Sequence, residues 1–238
     1  MTAIEIAVVT LAVAAGTSVQ GAVGFGLGLL AAPVLALYDT DLVPGPLLFV
    51  MVPLTVLVAA RERGALDFRG IRWALAGRVP GTIAGSLAVA LLPEGPLTVL
   101  FASLVLVAVL LSLTGWHPHP TTPALLTAGA ASGFMGTATS IGGPPIALVY
   151  QRRSGPELRS TLAAYFLVGA AFSLLMLAVV GEFGMAELRL GLLLVPGMLL
   201  GYSASAVLAR TLDRGYTRAA VLVFASVSSI VLLVRELL

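Results

Sequence analysis

The amino-acid sequence predicts an all-α polytopic membrane protein made of two inverted repeats, each a broken-helix hairpin plus three transmembrane helices. Three observations lead there: scarcity of charge, apolar runs long enough to span a bilayer, and an internal duplication whose arginines fall on one side. Of the 238 residues, 59% are apolar and 10% charged, against about 25% charged in an ordinary soluble domain, and the mean hydropathy is +1.06. No polar stretch exceeds about a dozen residues, whereas a separate domain needs about 50. Residues 1–238 therefore read as a single transmembrane domain.

The first segment, 4–38, lies within a charge-free run from Ile6 to Tyr38. As one helix it would be about 50 Å long against a hydrocarbon core of about 30 Å, and GAVGFGLGLLAAP punctures it with Gly and Pro. It reads as two short helices meeting at an irregular turn. Because the start carries Glu5 and no Arg, it lacks the basic region of a cleaved signal and is expected to be retained. Segments 42–60, 73–92 and 97–116 each match the roughly 20 residues of a single span. Segment 124–150 carries GFMGTATSIGGPP and repeats the hairpin pattern, and 160–180, 190–209 and 216–234 complete the chain as single spans.

The duplication is legible in order. Gly21, Gly24, Pro33 and Tyr38 return 112 residues later as Gly133, Gly136, Pro145 and Tyr150, VPGTIAG at Val79 returns as VPGMLLG at Val195, GALDFR at Gly64 faces GMAELR at Gly184, and Phe101-Ala102-Ser103 returns as Phe224-Ala225-Ser226. The repeats run over about 1–116 and about 124–238. Cytoplasmic loops collect the basic residues. If each hairpin leaves on the side it entered, eleven Arg lie on one side (Arg61, Arg63, Arg69, Arg72, Arg78, Arg152, Arg153, Arg159, Arg210, Arg214 and Arg218), with Arg189 and Arg235 opposite. If each hairpin crosses, the tally is seven against six. Returning hairpins are therefore expected, with both termini outside. Three crossings per half then invert one repeat relative to the other, as in secondary transporters.

Irregular backbone at membrane depth persists only where protein or a water-filled cavity satisfies it, so the hairpins are expected to meet in the interior. Half-helix N-termini favour anions. Gly24, Gly26 and Gly28 in the first hairpin, and Gly136, Gly142 and Gly143 in the second, would let backbone approach a ligand. Gln20, Gly21, Phe25 and Gly133 complete the binding set, with Thr137, Thr139 and Ser140 as neutral donors and Thr17 and Ser18 beside them. Pro33, Pro144 and Pro145 break the helices, Pro33 and Pro145 setting the start of each second half-helix. The spaced glycines of GTIAG (Gly81 to Gly85) and GMLLG (Gly197 to Gly201) read instead as close helix packing. Arg78 stands inside an apolar segment, where an ionisable residue is a functional candidate. It lies six residues past Arg72, and the expected reading is that it snorkels to the cytoplasmic rim, an anion contact being the alternative. No Asp or Glu lies deep in a segment, so the anion is expected to be held through neutral donors.

His117 and His119 read as loop residues, since two His make no metal site. The absence of Cys removes thiolate sites, and no metal or cofactor is expected. A membrane-embedded enzyme lacks its acid/base pair. The net charge of +2 offers no basic face for nucleic acid. The partners expected are a small anionic substrate and the lipid bilayer, with assembly into a homo-oligomer left open.

The paired signatures, GAVGFGLGLLAAPVL from Gly21 to Leu35 and GFMGTATSIGGPPIAL from Gly133 to Leu148, resemble those of the sulfite exporter TauE/SafE family, also called the toluenesulfonate uptake permease family. The resemblance covers essentially the whole chain. Leu27, Leu29 and Leu30 stand where further small residues are often found. It implies a multi-pass permease of the bacterial inner membrane for sulfite, sulfonates or related organosulfur anions. Transport of another small anion, or a non-transporting partner subunit, are the alternatives.

The topology is directly testable because the chain has no Cys of its own. A single Cys introduced at Ser154 is expected to resist membrane-impermeant reagents in intact cells and to label after permeabilisation. Labelling from outside would mean that the hairpins cross and the repeats are parallel.

Overall fold

The computed structural model describes residues 2–62, 66–113, 118–150, 153 and 155–212, and every regular element in them is helical. The elements are α1 (Ala3–Val23), α2 (Leu27–Tyr38), a short 3-10 turn (Thr40–Leu42), α3 (Gly45–Arg61), α4 (Phe68–Leu91), α5 (Glu94–Leu113), α6 (Thr122–Thr139), α7 (Gly143–Tyr150), α8 (Gly155–Val179) and α9 (Met185–Leu212). Ala3–Val23, Thr40–Arg61, Phe68–Leu91, Pro156–Val179 and Met185–Ala209 are each long and apolar enough to cross a bilayer. Segment 216–234, His117, the Phe224-Ala225-Ser226 repeat and Ser154 lie outside the described residues.

Both expected hairpins are present, but each pairs one long arm with one short one. The arms are 21 and 12 residues in α1 and α2, and 18 and 8 in α6 and α7. The expectation of two short helices fails for the first arms, because the breaks fall late in each apolar segment. Helices α4, α8 and α9 begin about five residues before their apolar runs. Polar caps rather than apolar residues start them: Asp67 accepts from the Gly70 N–H at 2.9 Å before α4, and Glu187 accepts from the Gly184 N–H at 2.6 Å before α9.

The tightest packing is between parallel helices, α6 on α4 and α1 on α9. Gly77 and Gly81 of α4 touch the backbone of Leu126 and Ala130, and Gly129 of α6 touches that of Ala74. Gly197 and Gly201 of α9 meet Thr10 and Ala14 in the same way. With no water to drive association inside a bilayer, close backbone approach and dispersion hold such pairs. The packing reading of GTIAG and GMLLG is therefore borne out. Ser18 adds a cross-link, its hydroxyl reaching the Gly201 carbonyl at 3.0 Å and the Ala14 carbonyl at 2.8 Å.

These pairings sort the helix ends into two groups. One end gathers the C-termini of α1, α3 and α7 with the N-termini of α4 and α8, and carries Arg61, Glu62, Asp67, Arg153, Glu157 and Arg159. The other gathers the C-terminal ends of α2, α4 and α6 with the N-termini of α3, α5 and α9, and carries Asp39, Asp41, Glu182 and Glu187. Helix α1 ends at the basic group and α2 returns to the acidic one, so the first hairpin does fold back.

Replacing Gly81 by Leu is expected to separate α4 from α6, because a Cβ there collides with the Ala130 carbonyl. Overpacking of this kind costs about 1–3 kcal/mol or more. The measurement is thermal unfolding in detergent, where the variant should melt well below the parent while Ile83→Leu, on an exposed position of the same helix, should not.

Candidate functional site

The first break is stitched by Gln20. Helix α1 ends where Gly24 turns left-handed at φ 101° and its N–H reaches back to the Gln20 carbonyl at 2.7 Å. Gly26 follows at φ 136°, a conformation that side chains rarely tolerate. Across the gap, the Gln20 carboxamide oxygen accepts from the Leu27 N–H at 3.0 Å, so one buried side chain closes a donor at the start of α2. Pro33 lies inside α2, not at its start. A proline φ is helical, and the positive-φ glycines upstream make the break instead.

The second break uses side-chain hydroxyls. Ser140 takes the left-handed position at φ 62° and its N–H reaches the Gly136 carbonyl at 3.0 Å. The Thr139 hydroxyl donates to the Met135 carbonyl at 2.7 Å and accepts from the Ile141 N–H at 3.2 Å. The Ser140 hydroxyl donates to the Pro44 carbonyl at 3.0 Å, and that of Ser132 to the Gly142 carbonyl at 2.5 Å. Pro144 and Pro145 then open α7, where a missing N–H is harmless.

The two breaks meet. Gly28, in the first turn of α2, packs its Cα against the Ser140 carbonyl, and a Cβ on Gly143 would lie 2.9 Å from the Phe25 Cβ. The N-termini of α2 and α7 thus converge on one buried constriction. It is lined by Gln20, Phe25, Gly26, Gly28, Met51, Ser140, Gly142, Gly143, Pro144 and Phe166, with about 10 Å³ of free space, room for about one water. From that crossing, α2 and α7 extend about 18 Å and about 12 Å, together close to one hydrocarbon thickness. A vestibule of about 740 Å³ opens at the acidic end, lined by Tyr38, Asp39, Asp41, Glu182 and Glu187 and reaching Pro44 and Ala138 beside the tip of the second hairpin. The vestibule is much the larger space, but the converging N-termini and glycine contacts lie at the constriction, which we take as the site.

Arg78 does not snorkel. It sits near the middle of the 24-residue α4 and is 2% exposed. Its Nη1 donates to Ser132 at 3.3 Å and its Nη2 to Ser173 at 3.4 Å, and its guanidinium lies over the Tyr165 ring, 5.0 Å from the centroid. Gly169 leaves the space the guanidinium fills, and a Cβ on Gly136 would stand 3.3 Å from Nη2. Gly136 and Gly169 leave the space into which the side chain turns inward, where its six-residue distance from Arg72 had suggested the cytoplasmic rim. An Arg at a helix centre costs about 2.5–3.5 kcal/mol to insert. Hydrogen bonds from a charged group contribute about 1.5–3 kcal/mol each, and a desolvated cation–π contact about 2. Neutral partners can therefore hold Arg78 in place.

The other expected residues divide. Gln20, Phe25, Gly26, Ser140, Gly142 and Gly143 line the constriction. Gly133 packs on the Arg78 backbone, Gly21 on Ser205, and Gly24 against Arg159 and Leu162, all behind it. Thr137 pairs with Ser173 at 2.8 Å, and the hydroxyls of Thr139 and Ser140 already serve the break. The hydroxyls of Thr139 and Ser140 thus donate to main-chain carbonyls, and that of Thr137 is paired with Ser173. The Thr17 hydroxyl is buried without a partner. Ser132, Tyr165, Gly169 and Ser173 were not anticipated. Ser132 stands four residues before Gly136 and could have been found by its helical spacing, whereas Tyr165, Gly169 and Ser173 carry no local signal.

Arginine also closes the basic end. Glu62 bridges Arg61 at 3.3 Å and Arg159 at 2.9 Å. Arg61 donates to Ser205 at 2.7 Å and to the Gly21 carbonyl, and Arg159 to the Ala22 carbonyl at 3.4 Å. The last carbonyls of α1 are thereby satisfied by cations, as a helix C-terminus favours.

Gly143→Val is expected to insert and fold but to lock the crossing against Phe25, with transport falling below detection in reconstituted vesicles. Phe25→Ala in the same chain should restore part of it. Normal kinetics in Gly143→Val alone would remove this turn from the mechanism.

Residues 8–232 match the family described as sulfite exporter TauE/SafE. No curated protein and no solved structure matches the chain. The broken helices, the apolar spans and this match over nearly the whole length lead to one conclusion: the chain is a multi-pass membrane protein belonging to the TauE/SafE sulfite exporter family of transporters.

Proposed function

We propose that this protein is a permease for small organosulfur oxyanions, sulfite and sulfonates, and that it works by alternating access at the crossing of its two hairpins. The observation that carries the reading is the convergence of the α2 and α7 N-termini on one buried constriction. Helix N-termini present unpaired N–H groups and a partial positive charge, and two of them facing one point make a neutral site attractive to an anion. Gln20, Gly26, Gly28, Gly142 and Gly143 form its wall, and backbone amides do the binding.

The repeats at about 1–116 and about 124–238 are inverted in this reading. The reciprocal pairing of α1 with α9 and of α4 with α6 supports it, since each joins the hairpin of one half to the second transmembrane helix after the hairpin in the other. The basic end faces the cytoplasm by its arginines. With the constriction closed and the vestibule open at the acidic end, the present form has the acidic side accessible and the Arg61, Glu62 and Arg159 network shutting the other. Transport requires the hairpins to slide at Gly28 and Ser140 so that the seal moves from one side to the other.

Uptake of radiolabelled sulfite into proteoliposomes tests the function. Saturable uptake is expected, competed by short sulfonates and not by a neutral sulfone of similar size. Absence of saturable uptake for every sulfur oxyanion offered would overturn the substrate class. Glu62→Gln, which weakens the basic-end network, should raise the uncoupled leak of the same vesicles about twofold to fivefold, since a partly exposed ion pair contributes about 0.5–1 kcal/mol.

A further inference from the structure

Arg78 is the feature that the hairpin mechanism leaves unused. It is a guanidinium at the centre of the helix bundle, 2% exposed, and among the described residues no carboxylate pairs with it. Its partners are the neutral hydroxyls of Ser132 and Ser173 and the face of Tyr165. Its Nε has no hydrogen-bond partner, and neither has the Tyr165 hydroxyl. A guanidinium keeps its charge where a lysine sheds it, so among the described residues this cation has no counter-ion, while its own Nε–H and the hydroxyl of the tyrosine whose ring it covers have no partner.

We propose that Arg78, with the Tyr165 hydroxyl, is an anion-binding site for the sulfonyl or sulfite oxygens of the transported ion, and that the contacts to Ser132 and Ser173 are its resting position. This deepens the permease reading and rests on it for the identity of the anion. The guanidinium presents paired N–H groups in one plane, which match two oxygens of a trigonal or tetrahedral oxyanion. The site is coupled to the constriction by a single side chain, because the Ser132 hydroxyl that accepts from Arg78 also donates to the Gly142 carbonyl at the second break. Gly136 lies between the guanidinium and Gly142 with no side chain to separate them. Displacement of the second hairpin therefore releases Ser132 and turns the Nε and Nη edge toward the opened space. An anion that satisfies Arg78 favours the displaced form, and its departure returns the arginine to the serines.

The test compares sulfite-dependent thermal stabilisation of the purified full-length protein with transport kinetics in proteoliposomes, for the parent and for Arg78→Gln, Arg78→Lys and Tyr165→Phe. In Arg78→Gln the stabilisation by sulfite is expected to vanish and the KM to rise about 10-fold or more, the weight of one charge-assisted hydrogen bond. Arg78→Lys should keep the charge but lose the planar fork, giving an intermediate KM. Tyr165→Phe should melt no lower than the parent without sulfite, because its hydroxyl has no partner there, yet respond less to sulfite; this arm holds even where Arg78→Gln does not fold. An unchanged KM and thermal response in Arg78→Gln, or an unchanged sulfite response in Tyr165→Phe, would overturn the assignment while leaving the permease reading intact. If the parent transports none of the sulfur oxyanions but is stabilised by one of them only when Arg78 is present, the anion site stands and the substrate reading falls.

Discussion

The organising constraint of this protein is that a helix broken inside a membrane must have its backbone groups satisfied by the protein itself, because hydrocarbon offers no water to do so. Both hairpins meet it with side chains from the helix that leads into the break. Gln20 accepts through its main chain from Gly24 and through its carboxamide from Leu27. Thr139 accepts from Ile141, and Ser132 donates to Gly142. The residues read from sequence as ligand donors are in large part the residues that satisfy the backbone at the breaks.

The same constraint explains the distribution of arginine. A helix C-terminus carries unpaired carbonyls and a partial negative charge, and both long arms end in the interior or at its edge. Arg61 and Arg159 satisfy the last carbonyls of α1 directly, whereas Arg78 reaches the second break through Ser132. The two solutions differ in their consequence. At the first break Glu62 neutralises the cations, and at the second no carboxylate among the described residues pairs with Arg78.

Glycine has two roles here that composition cannot separate. At Gly77, Gly81, Gly129, Gly197 and Gly201 it lets parallel helices touch backbone to backbone. At Gly24 and Gly26 it supplies positive φ, and at Gly28 and Gly143 it lets one hairpin pass the other. The helix contacts and the breaks thus share one residue type, and the four-residue spacing in a continuous helix marks the first role while clustering near a proline or a positive φ marks the second.

The sequence by itself determined the solvent in which the protein folds, the number and order of the described spans, the two hairpins and their turning back, because charge, apolar length and helix-breaking residues act locally. It also carried the family, through paired signatures of Gly and Pro. Local reading failed where a residue's role depends on what lies across from it. Pro33 stays inside a helix because the glycines before it already made the break. Helices α4 and α9 begin early because Asp67 and Glu187 cap them. Arg78, six residues from a rim arginine, resembled a snorkelling side chain along one helix. Only the tertiary structure placed Ser132, Tyr165, Gly169 and Ser173 around it, from helices far apart in the chain. Direction along a helix fixes which face a side chain leaves from, but whether that face meets lipid or another helix is decided by packing.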